Sequence, residues 1–322
     1  MKNSLKKLIL ALSLVSTFSY AQSDYPSRAV TVVVPYSPGG TTDIVARLAS
    51  LYLTGLTSQS FVVENKGGAS GTIAMGYVAA AAPDGYTLLS NEMTQTIVPS
   101  LFPKLAFNPT KDLTAIAIFA EAPYVLAISS KLPVNNLQEF ISYAKANPGK
   151  INFASGGVGS GPHMAGELLK SVAGIEMTHV PYKGSGPALN DLLSGQVEVL
   201  ITAAPTIAQH LTSGRVKALA VAHTKRVTPL PNIPTSAEAG LPAFLVANWF
   251  GLAAPKGTPE NIINTLHGEV VKALDKQEFR DKLIAAGAEP VNTSPADANK
   301  FIASEAARWG DLIKKSNISS ND

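Results

Sequence analysis

The stretch Val30-Thr31-Val32-Val33-Val34-Pro35-Tyr36-Ser37-Pro38-Gly39-Gly40-Thr41-Thr42-Asp43 decides the fold. Five consecutive β-branched residues, four of them valine, read as a strand buried on both faces inside a parallel sheet. Pro35, Pro38 and two glycines stop it, and from Asp43 to Leu56 apolar residues return at helical spacing. A strand, a glycine-rich turn and a helix in that order make one unit of an α/β fold. The unit recurs. Phe61–Glu64 runs into Asn65-Lys66-Gly67-Gly68-Ala69-Ser70-Gly71 and a helix from Gly71 to Ala82, and Ile151–Ala154 runs into Ser155 to Pro162 and a helix over Met164–Val172.

Further strands are expected at Tyr86–Leu89, Ala115–Phe119, Val125–Ser129, Met177–Val180, Val197–Thr202, Lys217–Ala222 and Trp249–Ala253, with helices at Leu137–Ala146 and Pro187–Leu193. Pro259 to Lys315 holds three more helical stretches, and Thr258-Pro259 and Ser294-Pro295 carry start signals of the N-cap and N1 kind. A mature chain of about 300 residues exceeds one typical core. No Gly/Ser linker divides it, so Leu113–Ser130 and Phe244–Pro255 are expected to cross between two lobes. The first lobe is then discontinuous, residues 22–122 and 249–322, the second is residues 123–248, and a cleft between them closes by hinge motion.

The first 21 residues read as a secretory signal: Lys2, Lys6 and Lys7 form a basic start, Leu8 to Val15 an apolar run, and Ser19-Tyr20-Ala21 a small-x-small cleavage pattern. The apolar run is shorter than the ~20 residues that span a bilayer. The whole chain of 322 residues has 26 Lys and Arg against 23 Asp and Glu, and losing the three signal lysines leaves the mature chain neutral. With no basic stripe, nucleic-acid binding is not expected. A chain that is 46% hydrophobic and 15% charged buries a core, which excludes a disordered class. The absence of Cys removes disulfides, thiolate nucleophiles and Cys-ligated metals.

Catalytic signatures are few. Gly156-Gly157-Val158-Gly159-Ser160-Gly161 misplaces the third glycine of a dinucleotide fingerprint, and Val158 stands where a nucleophile elbow needs glycine. His163 and Glu167, four apart on a helix, are too few for a metal site. Asp43 and Asp191 have simpler roles near helix ends than acid/base chemistry. One hydrolase alternative remains, with Ser160 and His163 as nucleophile and base. No cofactor is expected.

The three glycine-rich turns form the candidate binding device. A helix N-terminus presents unpaired N–H groups and partial positive charge, so it holds a carboxylate or phosphate without Lys or Arg. Glycine lets a ligand approach the backbone, and Thr41, Thr42, Ser155 and Ser160 add hydroxyls. In an open α/β sheet such turns face a ligand at the carboxyl ends of the strands.

On these motifs the chain resembles the receptors of tripartite tricarboxylate transporters, the Bug family of periplasmic solute-binding proteins. The carriers are Tyr25-Pro26-Ser27-Arg28, the 34–43 and 63–71 stretches, Pro83-Asp84-Gly85-Tyr86-Thr87-Leu88, Ser155 to His163, His179-Val180-Pro181-Tyr182-Lys183-Gly184, and Trp249 to Pro255. The resemblance implies a two-lobed Venus-flytrap α/β fold, a periplasmic location, no catalysis, and delivery of a small organic carboxylate to a two-component membrane permease. It implies first-lobe ligand contacts from Tyr36, Ser37, Gly39, Gly40, Thr41, Thr42, Gly67 and Gly68. From the second lobe it implies Ser155, Gly156, Gly159, Ser160 and His163, with Tyr182 and the Thr202-Ala203-Ala204-Pro205 turn nearby. A monomer is expected. The chain departs from the family after Leu89, where Ser90-Asn91-Glu92-Met93-Thr94-Gln95 replaces a common Thr-His pair; this segment, with Thr94, is expected to shape the far end of the ligand. Glu92 reads either as exposed or as a cleft residue that repels a second carboxylate unless protonated or paired. Tyr36, Tyr182, Phe102 and Trp249 suggest an aromatic acid such as terephthalate, or serve as ordinary core. A signalling partner in place of a permease is the other alternative.

Overall fold

A computed structural model describes residues 25–182, 185–228 and 230–319; the signal segment expected over residues 1–21 lies outside them, as do Lys183 and Gly184. The element order begins β1 (Val30–Val34), α1 (Thr41–Thr57), β2 (Phe61–Asn65), a 3-10 turn (Ala69–Gly71), α2 (Thr72–Ala79), β3 (Thr87–Glu92), α3 (Thr94–Leu101) and β4 (Leu113–Ser129). It continues α4 (Leu137–Ala146), β5 (Asn152–Ser155), α5 (Gly161–Ala173), β6 (Thr178–Pro181), α6 (Ser185–Ser194), β7 (Val199–Ala203), α7 (Ala204–Leu211) and β8 (Val216–Val221). The chain closes with β9 (Ala247–Pro255), α8 (Glu260–Asp275), α9 (Gln277–Ala285), β10 (Glu289–Pro290) and α10 (Pro295–Lys315).

The sheet runs β2-β1-β3-β9-β4-β7-β5-β6, with β8 and β10 also pairing β4. The all-valine face of β1 fits its place: it lies between β2 and β3, parallel to both, and four of its five residues are buried. Its neighbour β2 is an edge strand, and Val62 and Glu64 point to water accordingly. The second half repeats the scheme with β5 parallel to β6 and β7.

Between the halves run β4 and β9. The two stretches expected at Ala115–Phe119 and Val125–Ser129 are one strand of 17 residues. Its first part, Leu113 to Pro123, pairs antiparallel with β9, and from Tyr124 onward it pairs with β7 and β8. Two register shifts interrupt the β4–β9 ladder, between Ala115 and Ala117 and between Ile118 and Ala120; such irregularities bend and twist a strand. The C-terminal helices return to the first half, where α8 packs on α1 and α10 on α3 and β4. One apolar core runs from Val30 and Leu88 through Phe119 and Leu126 to Phe140 and Phe153, and two smaller clusters stand beside it, around Val125 and Leu200 and around Val33 and Met75.

Local signals explain the helix ends. Asn136 accepts from Glu139 N–H at the start of α4, and Ser294 accepts from Asp297 N–H ahead of Pro295 in α10. The Thr258 signal fails: its hydroxyl donates to Pro255 O, and α8 starts behind Pro259 with no side-chain cap. Two helices not expected from the sequence are present, α3 and α7; the Ala203-Ala204-Pro205 segment, expected as a turn, is the start of α7.

Candidate functional site

The β1–α1 turn carries Tyr36 to Gly40 at the carboxyl end of its strand. Ser37, Gly39 and Gly40 are exposed, Tyr36 and Thr41 half-buried and Thr42 buried. Gly40 stands at the N-cap of α1, and no side chain caps the helix. The residue type that usually would do so, Asp43, points back instead: its carboxylate accepts from Gly39 N–H (3.0 Å), Arg47 Nε (3.0 Å) and Asn65 Nδ2 (2.8 Å). Burial alone would raise its pKa; these three donors outweigh burial and hold the carboxyl below its ordinary range. Asn65 also donates to Tyr36 O (2.9 Å), so the end of β2 ties down the turn.

Gly67 packs on that turn, where a side chain would meet Ser37 N at 3.3 Å. From Gly68 to Gly71 four successive residues have positive φ (125°, 46°, 53° and 81°), Ala69 and Ser70 among them. L-residues adopt this conformation at a cost of about 1 kcal/mol or more each. The turn aims Ser70 at the other half of the molecule, where its hydroxyl donates to Val158 O at 3.3 Å. Gly159 lies against Leu101 of α3, and a Cβ there would approach Leu101 Cδ2 to 2.5 Å. At Gly161 a Cβ would collide with the hydroxyl of Tyr124 on β4. Turns of both halves therefore touch each other.

The β5–α5 turn is organised by its own side chains. Ser155 Oγ accepts from Gly157 N–H (3.0 Å) and lies 2.6 Å from His179 Nε2. Ser160 Oγ donates to Gly157 O (2.6 Å) and accepts from His163 N–H, capping α5. His163 Nδ1 accepts from Gly159 N–H (3.1 Å), which leaves its proton on Nε2. The His163 ring stacks on His179 with centroids 4.0 Å apart and also on Phe153. Burial, then His179 and Lys170, push its pKa down to about 3. The hydrolase alternative needs a side-chain bond between Ser160 and His163, and the two instead bond to the turn: Ser160 Oγ to Gly157 O and His163 N–H, His163 Nδ1 to Gly159 N–H. Tyr182 donates to Asp191 at 2.6 Å, and burial with that carboxylate pushes it up to about 12. Gly156 is half-buried in the same turn, and Thr202 and Ala203 lie buried at the end of β7, paired with Val125 and Tyr124.

The β3–α3 corner settles the place of Glu92. It is buried, with 3% of its surface exposed. Its Oε1 accepts from Tyr36 Oη (2.7 Å) and Thr94 N–H (2.9 Å), and Tyr36 Oη is also 2.7 Å from Thr94 Oγ1. Burial raises the Glu92 pKa, and burial followed by Glu92 raises that of Tyr36 well above the ordinary phenol range. Asn91, Gln95 and Thr96 are buried as well, and Asn91 and Gln95 bond to each other (2.9 Å). Sequence reasoning missed the Tyr36–Glu92 bond, the Ser155–His179 bond and the contacts of Ser70 and Leu101 with the opposite half; a Ser, Glu or Leu at these positions gives no local signal of a partner more than twenty residues away. Among the aromatics, Trp249 is buried against Phe301 and Phe102 packs on the core.

A family profile described as tripartite tricarboxylate transporter family receptor matches residues 45–318. The chain is 37% identical over 293 residues to the protein BugT of Bordetella pertussis, covering 90% of each chain. Among solved structures it is similar to an R. palustris protein with adipate (38% identity, TM-score 0.83, 92% of this chain and 99% of that one). It is also similar to MatC from Rhodopseudomonas palustris with bound malate (38% identity, TM-score 0.80, 90% of this chain and 100% of that one).

Proposed function

The chain belongs to the tripartite tricarboxylate transporter receptor family, periplasmic solute-binding proteins of two-lobed α/β fold, and on that premise we propose that it captures a small organic carboxylate and hands it to a two-component membrane permease. The observation that carries the reading is the meeting of the two halves at their turns: Ser70 on Val158 and Leu101 on Gly159, beside the uncapped N-terminus of α1. A ligand held by the N–H groups of Thr41 and Thr42 and covered by the 156–161 turn contacts both halves only when they are together, so its binding free energy favours closure. The residues we assign to the site are those named above for the two sets of turns, with Thr94. The lobes we assign are residues 22–122 with 249–322, and 123–248; the change of β4's partners at Tyr124 supports that division.

An aliphatic acid fits better than terephthalate. Trp249, Phe102 and the Asp191-bonded Tyr182 are engaged elsewhere and offer no stacking platform. Relatives with adipate and malate support the same class. The test is a thermal-shift screen of the mature protein against adipate, malate, other aliphatic acids, acidic amino acids and aromatic acids, with calorimetric titration of each compound that shifts it. Several degrees of stabilisation by aliphatic carboxylates is expected, by mass action on the native state. No response to any carboxylate, in protein shown by native mass spectrometry to carry no ligand, overturns the reading.

A further inference from the structure

The corner formed by Tyr36, Glu92 and Thr94 has a fixed hydrogen-bond sense. A backbone N–H only donates, so Thr94 N–H, 2.9 Å away, marks Glu92 Oε1 as an acceptor. The same oxygen lies 2.7 Å from Tyr36 Oη, so the phenol gives its one proton to Glu92. Tyr36 has no second proton for Thr94 Oγ1 at 2.7 Å, so the Thr94 hydroxyl gives its own to Tyr36 or to Glu92. Both hydroxyl protons are thereby committed inward, whether Glu92 is ionised or carries its proton on Oε2. What the hydroxyl of the half-buried Tyr36 side chain retains is a lone pair.

Resting on the receptor reading above, we propose that Glu92 is a specificity-determining positioning residue: by taking the phenol proton of Tyr36 it makes this corner of the cleft acceptor-only. The part of the ligand that meets the corner is then an N–H or O–H donor, and the ligand class is a monocarboxylate bearing an amide, hydroxyl or ammonium at its other end. A second carboxylate is turned away, since it brings only acceptors to acceptors and a negative charge to a buried acid. No cation offsets that acid: among the described residues Glu92 makes no ion pair, and its remaining contacts are the Thr94 hydroxyl and Asn248, whose Oδ1 already accepts from Met93 N–H at 3.2 Å. Tyr124, the other hydroxyl near Glu92, is buried on β4.

The experiment titrates wild-type mature protein calorimetrically with matched pairs that differ only at one end: succinate and succinamate, glutarate and glutaramate, adipate and adipamate. The expected result is a tenfold or greater preference for the monoamide in the pair of the best-fitting length. Glu92→Gln keeps an acceptor oxygen facing Thr94 N–H and Tyr36, so it retains the preference. Glu92→Met removes the acceptor, frees the phenol proton to donate, and brings the two affinities within threefold of each other or reverses them. Should Glu92→Met fail to fold, Tyr36→Phe deletes the lone pair itself and erases the same preference. A merely structural Glu92 would change both affinities together and leave their ratio untouched. Equal or tighter binding of the dicarboxylate by the wild type overturns the inference, as does a Glu92→Gln variant that loses the preference. If no member of any pair binds while another carboxylate in the screen does, this inference fails and the receptor reading stands; if no carboxylate binds at all, both fail.

Discussion

Two glycine-rich turns, one in each half of the molecule, are built on opposite plans. The β1–α1 turn is exposed, leaves its helix uncapped, and is braced from below by Asp43, Asn65 and Arg47. The β5–α5 turn is filled from within by Ser155, Ser160, His163 and His179, which occupy one another and the amides of Gly157 and Gly159. Similar sequence therefore serves two ends. A turn whose donors are left free is a surface for something outside the chain, whereas one whose donors are satisfied by side chains is a rigid cover.

Breaking the brace should have the largest effect. Asp43→Ala leaves Gly39 N–H and Asn65 without their acceptor and should cost about 2 to 3 kcal/mol in urea unfolding, with ligand affinity down roughly tenfold or more. The pH dependence gives the sign. Because the folded carboxyl sits below its ordinary range, its contribution is complete above the unfolded value near ~4 and is lost as pH falls through the folded value. Asp43→Ala should flatten the acid limb of the stability curve in that interval.

On the other side the test is acid of a milder kind. His163 folds neutral with a pKa near about 3, so its contribution is full above the unfolded value of ~6.5 and declines as pH drops from there toward the folded value. His163→Asn, which can still accept from Gly159 N–H, should lose less stability than the wild type between about pH 7 and pH 5, by on the order of 2 kcal/mol. An unchanged pH dependence would remove His163 from the cause.

The contact between the turns can be tested by overfilling it. Gly159 has φ of 75° and faces Leu101, so Gly159→Ala should cost about 1 kcal/mol through its backbone. It should also weaken ligand binding by holding the halves apart. Adding Leu101→Ala should restore much of the affinity and none of the backbone cost; a double variant that binds no better than the single one would show that the two residues do not meet in the bound state. The smallest change is Ser70→Ala, which removes one 3.3 Å hydrogen bond between the halves and should reduce affinity only a few-fold, about 0.5 to 1 kcal/mol.

Local patterns made β1 legible: a valine run followed by two prolines and a pair of glycines admits little else. The helix at Leu137–Ala146 was equally plain. Legibility failed where a rule was broken for a tertiary reason. Helix α3 contains Pro99 and opens with Thr94-Gln95-Thr96, polar residues that read as loop; they are helical because neighbours bury and bond them. Ala115–Phe119 and Val125–Ser129 read as two strands, yet Pro123 between them pairs with Ala247 where β4 changes partners. Of the site, the positions of the turns followed from sequence, but not which donors remain free. Ser160 and His163 stood as the pair of a hydrolase alternative, while a helix cap and a stacked ring use both of them.

Strand β4 has a further consequence. It supplies Ile116 and Phe119 to one half and Leu126 and Ile128 to the other, and all four belong to one continuous core. Neither half can melt without stripping a strand from its neighbour, so a calorimeter should record one endotherm whose van't Hoff and measured enthalpies agree. Two lobes in outline, the molecule is a single cooperative unit in thermodynamics, and a fragment cut at the boundary should not hold its structure alone.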